Sequence, residues 1–206
     1  MKTVDFFFSP ASRYSYLAAT QIGALERDTG CSVSWRPVHG PDIRALRGRD
    51  PFQGPAVSGQ YEFAYRKADA EAWAAFYGVP FHEPREFHFD YKLLARAAVA
   101  GQRLGGGSGF LLALTDAVYG RGCWPVDQHL VADLCRTHGI DPEKLIADLD
   151  SEGVARVLAQ AAREAFDRGA FGVPTFFLGS QMFWGNDRLI LLQHALGTVT
   201  GRSEAP

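Results

Sequence analysis

Cysteine is sparse in these 206 residues and poorly placed for redox work. Cys31, Cys123 and Cys135 are odd in number and too far apart for a Cys-x-x-Cys pair. That excludes the common dithiol motif and points to free thiols in a reducing cytoplasm. No apolar run approaches the ~20 residues that span a bilayer. Asp5 arrives where a signal peptide needs its apolar stretch. Charge of neither sign dominates: the net value is −2, with Lys and Arg scattered. There is thus no electrostatic case for nucleic acid or an anionic membrane as partner. The histidines show neither HExxH nor Cys/His ligand spacing, so no metal site is expected. A GxSxG elbow is missing, which argues against an α/β-hydrolase. Gly105-Gly106-Gly107-Ser108-Gly109 lacks a preceding strand and a Lys-Ser/Thr pair, and reads as a helix linker rather than a phosphate loop.

What is present sits mainly at the two ends. Thr3 to Phe8 is apolar and aromatic and is closed by Ser9-Pro10, the pattern of a buried strand. From about Ser12 the period becomes helical, with Tyr16, Leu17, Ala19, Ile22 and Leu25 along one side, and Gly30 ends it. Ser32 to Val38 alternates as a second strand, and a strand–helix–strand unit of this length predicts a parallel pair with a right-handed crossover. Near the other end, Thr175 to Leu178, a Gly179-Ser180 turn and Gln181 to Trp184 predict an antiparallel hairpin. Asn186 and Asp187 are expected to cap the helix that carries Leu189, Ile190, Leu192 and Leu196.

Between these ends no strand signal occurs. Pro41 to Gly59 is rich in Gly, Pro and Arg and reads as irregular loop with one helical turn at most. Helices are expected over 60–77, with Tyr61, Tyr65, Ala68, Ala72 and Phe76 on one side, and over 90–104, 109–119 and 126–138. Asp141-Pro142 and Ser151 each cap a further helix. Tyr61, Tyr65, Trp73 and Tyr77 read as core rather than as a cofactor box. The order βαβ, helices, ββα predicts an α/β fold of thioredoxin-like, DsbA-like type. Residues 1–40 and 170–206 form a discontinuous thioredoxin-like domain, and 41–169 a large all-helical insertion.

The slot that holds two cysteines in redox members of such folds here holds Ser12 and Ser15. A helix N-terminus favours an anion through its unpaired N–H groups and dipole. A hydroxyl there can also donate to a bound thiolate and lower that thiol's pKa. Ser12 equally suits plain capping. Val173-Pro174 is the partner feature: a cis X-Pro bond would turn the preceding backbone groups toward an extended ligand, and an ordinary strand-start proline is the alternative. Asn186-Asp187 is a cap and a candidate recognition site, where a carboxylate would accept from a ligand's α-ammonium group while the cap amides hold the ligand's carboxylate; capping alone is the alternative.

These residues carry a resemblance. Asp5-Phe6-Phe7 through Ser15-Tyr16-Leu17-Ala18, then Trp35-Arg36-Pro37-Val38, Trp73 to Pro80, and Phe171 to Leu189 resemble the 2-hydroxychromene-2-carboxylate isomerases, allied to the kappa-class glutathione transferases. The resemblance covers nearly the whole chain. It implies a glutathione-dependent cis–trans isomerase of aromatic degradation, with Ser12 activating the glutathione thiol for transient addition to a conjugated enone. It implies that Val173, Pro174, Asn186, Asp187 and Arg49 hold glutathione, that a small aromatic molecule is the substrate, and that the protein is a homodimer. The family usually places proline directly after the catalytic serine, but here Arg13 follows Ser12. Ser9-Pro10 keeps that dipeptide three residues earlier, so Ser9 is a rival to Ser12. Arg13 and Arg49 are candidate partners for a substrate carboxylate. A kappa-like conjugating transferase and a non-catalytic thioredoxin-like binding module remain as alternatives.

Overall fold

Alternation along the first strand decides how the sheet is covered. In the computed structural model, which describes residues 1–48, 62–84 and 90–197, β1 (Thr3–Phe8) buries both of its faces. Val4, Phe6 and Phe8 join one apolar cluster and Phe7 joins another, as the two-residue side-chain period of a strand requires. β1 pairs in parallel with β2 (Ser32–Pro37) and antiparallel with β3 (Thr175–Leu178), which pairs antiparallel with β4 (Gln181–Trp184). The sheet therefore runs β2-β1-β3-β4. This is the arrangement the βαβ and ββα patterns predict, and β1 is central because strands cover both its edges.

α1 (Arg13–Thr29) connects β1 to β2 and ends at Gly30, whose φ of 64° is left-handed and whose N–H reaches Glu26 O at 2.9 Å. α2 (Gly40–Leu46) follows β2 directly. It is longer than the single turn expected there, because Pro41 and Asp42 sit in its first turn where both are favoured. Then come α3 (Phe63–Tyr77), α4 (Tyr91–Arg103), α5 (Ser108–Tyr119), α6 (Gln128–Thr137), α7 (Pro142–Asp148) and α8 (Glu152–Asp167). Asp90, Asp127, Asp141 and Ser151 cap α4, α6, α7 and α8 through their side chains. A 3-10 turn (Asn186–Arg188) leads into α9 (Leu189–Leu196).

The faces of the sheet have different covers. On one, Phe6 stacks on Phe176 with ring centroids 4.7 Å apart, and meets Trp35 edge-on; α1, α4 and α5 close over this layer with Tyr16, Leu17, Leu94, Phe110 and Leu114. On the other, Phe7 and Phe177 lie under α2 and α8 through Ile43, Ala161, Ala162 and Ala165. The helices between β2 and β3 thus supply cover for both faces. Among the described residues, no helix is long and apolar enough to cross a membrane.

α3 departs from the expected pattern. Its buried residues are Ala70 and Ala74, with Trp73 and Tyr77 packed against the core, whereas Tyr65 and Phe76 are exposed. Small alanines let α3 lie close against α1, and the bulky rings at Tyr65 and Phe76 are left on the other sides. Tyr61 lies outside the described residues.

Candidate active site

The candidate residues converge because of strand register. Phe7 is opposite Thr175, so the chain leaving β1 at Ser9 runs beside the chain entering β3 at Val173-Pro174. Trp184 is opposite Thr175 on the far side, and Gly185 N–H donates to Pro174 O at 2.9 Å. Asn186 and Asp187 therefore leave the sheet at the same end, where their 3-10 turn packs against α1. The end of β2 joins them: Val38 N–H donates to Phe8 O at 2.9 Å, and a Cβ placed on Gly40 would come within 3.4 Å of Val173. The Val173–Pro174 peptide is cis, the isomer considered for it from sequence. Arg49, with the loop around it, lies outside the described residues.

The three serines of the turn after β1 differ sharply in access. Ser9 is 4% exposed and Ser15 fully buried, and Ser9 N–H donates to Ser15 Oγ at 3.3 Å. Ser12 is partly exposed and caps α1 from an extended conformation, φ −113° and ψ 123°. Its Oγ accepts from Ser15 N–H at 3.2 Å, so the hydroxyl's own proton is left to donate elsewhere. Access separates the two rivals: a ligand can approach Ser12, while packing encloses Ser9.

Three tyrosines tie this turn down. Tyr14 donates to Asp69 Oδ2 at 2.8 Å, Tyr16 to Pro80 O at 2.6 Å, and Tyr119 to Ala11 O at 2.7 Å. Burial, then the hydrogen bond and charge of Asp69, pushes Tyr14 up to about 12. Burial with the charge of Asp116 does the same for Tyr16, to about 12. Tyr119 is also raised by burial. All three therefore stay protonated donors at neutral pH, and they fix the serine turn to α3, to the segment after α3, and to α5.

Asn186 and Asp187 do not cap α9, contrary to the expectation from sequence. Arg188 occupies the N-cap position without a side-chain bond, and Gly185 precedes the 3-10 turn with φ 108°. That backbone is open to glycine and turns Asn186 inward. Asp187 folds its carboxylate back over Gly185, where a Cβ would collide with it, and pairs with Arg188 at 3.3 Å. Asn186 is 3% exposed, its carbonyl accepts from Tyr77 Oη at 3.0 Å, and its Nδ2 has no hydrogen-bond partner. A buried amide donor without an acceptor costs roughly 1–3 kcal/mol, a cost that an arriving acceptor would remove.

Sequence reasoning missed Glu83. Arg13 Nη2 lies 2.8 Å from Glu83 Oε1, both side chains being under a tenth exposed. The 2.8 Å approach makes an ion pair, but its direction is wrong for a hydrogen bond, and neither Glu83 oxygen receives one. Burial raises the Glu83 pKa, and the charge of Arg13 opposes that without cancelling it. A buried cation needs a counter-charge, and it is the tertiary fold that buries Arg13 beside Glu83.

Residues 3–197 match the model of the DSBA-like thioredoxin domain. A 2-hydroxychromene-2-carboxylate isomerase of Sphingobium xenophagum is 33% identical over 196 residues, covering 95% of this chain and 98% of that protein. The solved structure of a 2-hydroxychromene-2-carboxylate isomerase superposes with TM-score 0.79 at 28% identity, covering 94% of each chain. The cytosolic disulfide reductase DsbM of Pseudomonas aeruginosa, solved with glutathione, shares the fold at TM-score 0.66 and 20% identity, over 94% of this chain and 95% of that one. The chain belongs to the DsbA-like thioredoxin family and, within it, to the 2-hydroxychromene-2-carboxylate isomerases, a family of isomerase enzymes.

Proposed function

We propose that this chain is a glutathione-dependent isomerase of 2-hydroxychromene-2-carboxylate-like intermediates in aromatic degradation, with Ser12 holding the sulfur as thiolate. The observation that carries the reading is the state of Ser12: partly exposed, at the start of α1, with its hydroxyl accepting from Ser15 N–H and its proton uncommitted. A protein thiol at this place would make a dithiol enzyme, whereas an alcohol can only serve a sulfur brought by the ligand.

The residues fit a tripeptide. Val173 offers strand-like backbone hydrogen bonds beside β1, and Asn186 carries a buried amide donor without an acceptor. Asp187 is a carboxylate for an α-ammonium group, and Arg49 is assigned to the same ligand from the resemblance. Glutathione supplies the chemistry: reversible thiolate addition to a conjugated enone leaves a single bond that can rotate before the double bond is restored. Ser12 and the α1 N–H groups lower the thiol pKa, and the tethered tyrosines keep Ser12 in place during the cycle. Nothing is consumed, so substrate and product are isomers and the tripeptide is released intact.

The same reading makes the protein a cytoplasmic homodimer. Phe76 and Ile190 are the most exposed of the described large apolar side chains after Met1, and Ile190 lies on α9 beside the exposed Leu191; sedimentation in solution measures whether a second copy binds. The functional test is turnover of such a substrate with and without glutathione, with mass analysis of the product. An isomer formed only with glutathione supports the proposal. A product that retains the tripeptide identifies a conjugating transferase, and peptide binding without glutathione binding identifies a non-catalytic module.

A further inference from the structure

The turn that carries Asn186 has little to hold it from within. Gly185 enters it at φ 108° without a side-chain cap, and Arg188 leads into α9 without one. Gly185 N–H donates to Pro174 O at 2.9 Å, and Arg188 N–H closes on Gly185 O at 3.3 Å. The carbonyl between them, Asn186 O, is taken by Tyr77, whose Oη donates to it at 3.0 Å from 109 residues away in sequence. Among the described residues, this is the one side-chain hydrogen bond to the backbone of the turn.

Tyr77 is itself held by other contacts. It ends α3, where Gly78 at φ 65° and a bond from Val79 N–H to Ala74 O at 3.0 Å turn the chain out of the helix. Trp73 lies against its ring, with centroids 5.3 Å apart, and Tyr16 holds Pro80 O just beyond it at 2.6 Å. None of these contacts uses the Tyr77 hydroxyl, so the ring keeps its place when the hydroxyl is removed. Burial raises the Tyr77 pKa, the Asn186 amide beside it opposes that, and the charge of Asp187 adds to it. The hydroxyl therefore remains a protonated donor at neutral pH.

We infer that Tyr77 is a positioning residue for the tripeptide: its hydroxyl fixes the Asn186 turn so that the buried, unpartnered Nδ2–H group of Asn186 meets an acceptor on the ligand. The inference rests on the proposed glutathione site. Its physical reason is the glycine. Gly185 allows backbone angles that other residues avoid, so a turn without an outside grip samples orientations in which the amide faces away from the ligand. Fixing the amide beforehand removes that ordering cost from binding. The same helix reaches the other half of the site, since Asp69 of α3 accepts from Tyr14 at 2.8 Å. α3 thus braces both the serine turn and the Asn186 turn, and Tyr77 acts on the second alone.

Tyr77→Phe removes the hydroxyl and leaves the ring. Calorimetry with reduced glutathione compares the full-length wild type, Tyr77→Phe, Asn186→Leu and the double variant. Tyr77→Phe should weaken binding roughly three- to tenfold, the worth of one neutral hydrogen bond. In the Asn186→Leu background the same change should cost less than about twofold, because the amide it positions is gone. The pKa of the bound thiol, read by ultraviolet thiolate absorbance, and kcat at saturating glutathione should stay at their wild-type values, since Ser12 holds the sulfur. Equal losses from Tyr77→Phe in both backgrounds overturn the inference, because a general loosening of the fold acts additively. Unchanged binding in Tyr77→Phe also overturns it, as does a thiol pKa that moves as far as in Ser12→Ala. If Asn186→Leu does not fold, Tyr77→Phe decides by its own split between weakened affinity and an unmoved thiol pKa. A wild type that binds no glutathione overturns the proposed function and takes this inference with it, whereas glutathione bound equally by wild type and Tyr77→Phe overturns this inference alone.

Discussion

Replacing Ser12 by alanine tests the two roles of one hydroxyl, and the structure lets them be separated. As N-cap, Ser12 Oγ accepts from Ser15 N–H at 3.2 Å; losing that bond costs roughly 1 kcal/mol of stability. In a chain of this size that lowers Tm by about 2–4 °C. As donor to a thiolate, the same hydroxyl contributes about 1.5–3 kcal/mol, which corresponds to a rise of roughly 1–2 units in the pKa of the bound thiol when it is removed. The assay is ultraviolet titration of thiolate absorbance for protein-bound glutathione, run beside thermal unfolding. Ser12→Asp separates the effects, because aspartate is as good a cap as serine but places a negative charge beside the sulfur. Ser12→Asp should regain the lost stability while the thiol pKa climbs at least as far as in Ser12→Ala. An unchanged thiol pKa and full activity in Ser12→Ala would refute the reasoning, leaving Ser12 a cap alone.

Other outcomes follow from the same structure. Glu83→Leu alone removes the buried carboxylate paired with Arg13 at 2.8 Å and should cost about 3–5 kcal/mol in denaturant unfolding, whereas Arg13→Leu/Glu83→Leu should stay near wild type. Because the folded pKa of Glu83 is raised above 4.5, the native state holds this proton more tightly than the unfolded chain. Its contribution to stability therefore falls as pH climbs from 4.5 through the raised value, and urea midpoints of the double variant should lack that decline. Phe6→Ala removes a fully buried ring stacked on Phe176 and should cost about 3–5 kcal/mol by urea unfolding. Asn186→Leu deletes the unpartnered amide and should weaken glutathione binding about tenfold in calorimetry, the worth of one hydrogen bond; equal or tighter binding would remove Asn186 from the ligand site.

Much of the fold was legible because its signals are local. The Thr3–Phe8 strand, Gly30, Asp141-Pro142 and the Gly179-Ser180 turn each announce themselves within a few residues, and each sits where expected. The candidate site was legible only in part. Ser12 and Val173-Pro174 were each marked by residue type and position, and the antiparallel pairing of β1 with β3 is what sets them side by side. Asn186 and Asp187 were read as caps from residue type alone; the fold of the turn depends on Gly185 at φ 108° and on α1 beside it, neither of which a cap rule contains. Tyr65 and Phe76 show the same limit, because alanine rather than aromatic residues decided which side of α3 met the core. Glu83 gave no local signal: its partner Arg13 is 70 residues away, and only the tertiary fold makes that carboxylate part of the site.

The account is tested most directly by a crystal structure of the protein grown with reduced glutathione. It should place the sulfur within about 3.5 Å of Ser12 Oγ, inside the limit for a hydrogen bond to sulfur or oxygen, with the tripeptide backbone along Val173. Sulfur seated instead against Ser9 or Cys123, or glutathione bound away from the end of β1, would contradict it.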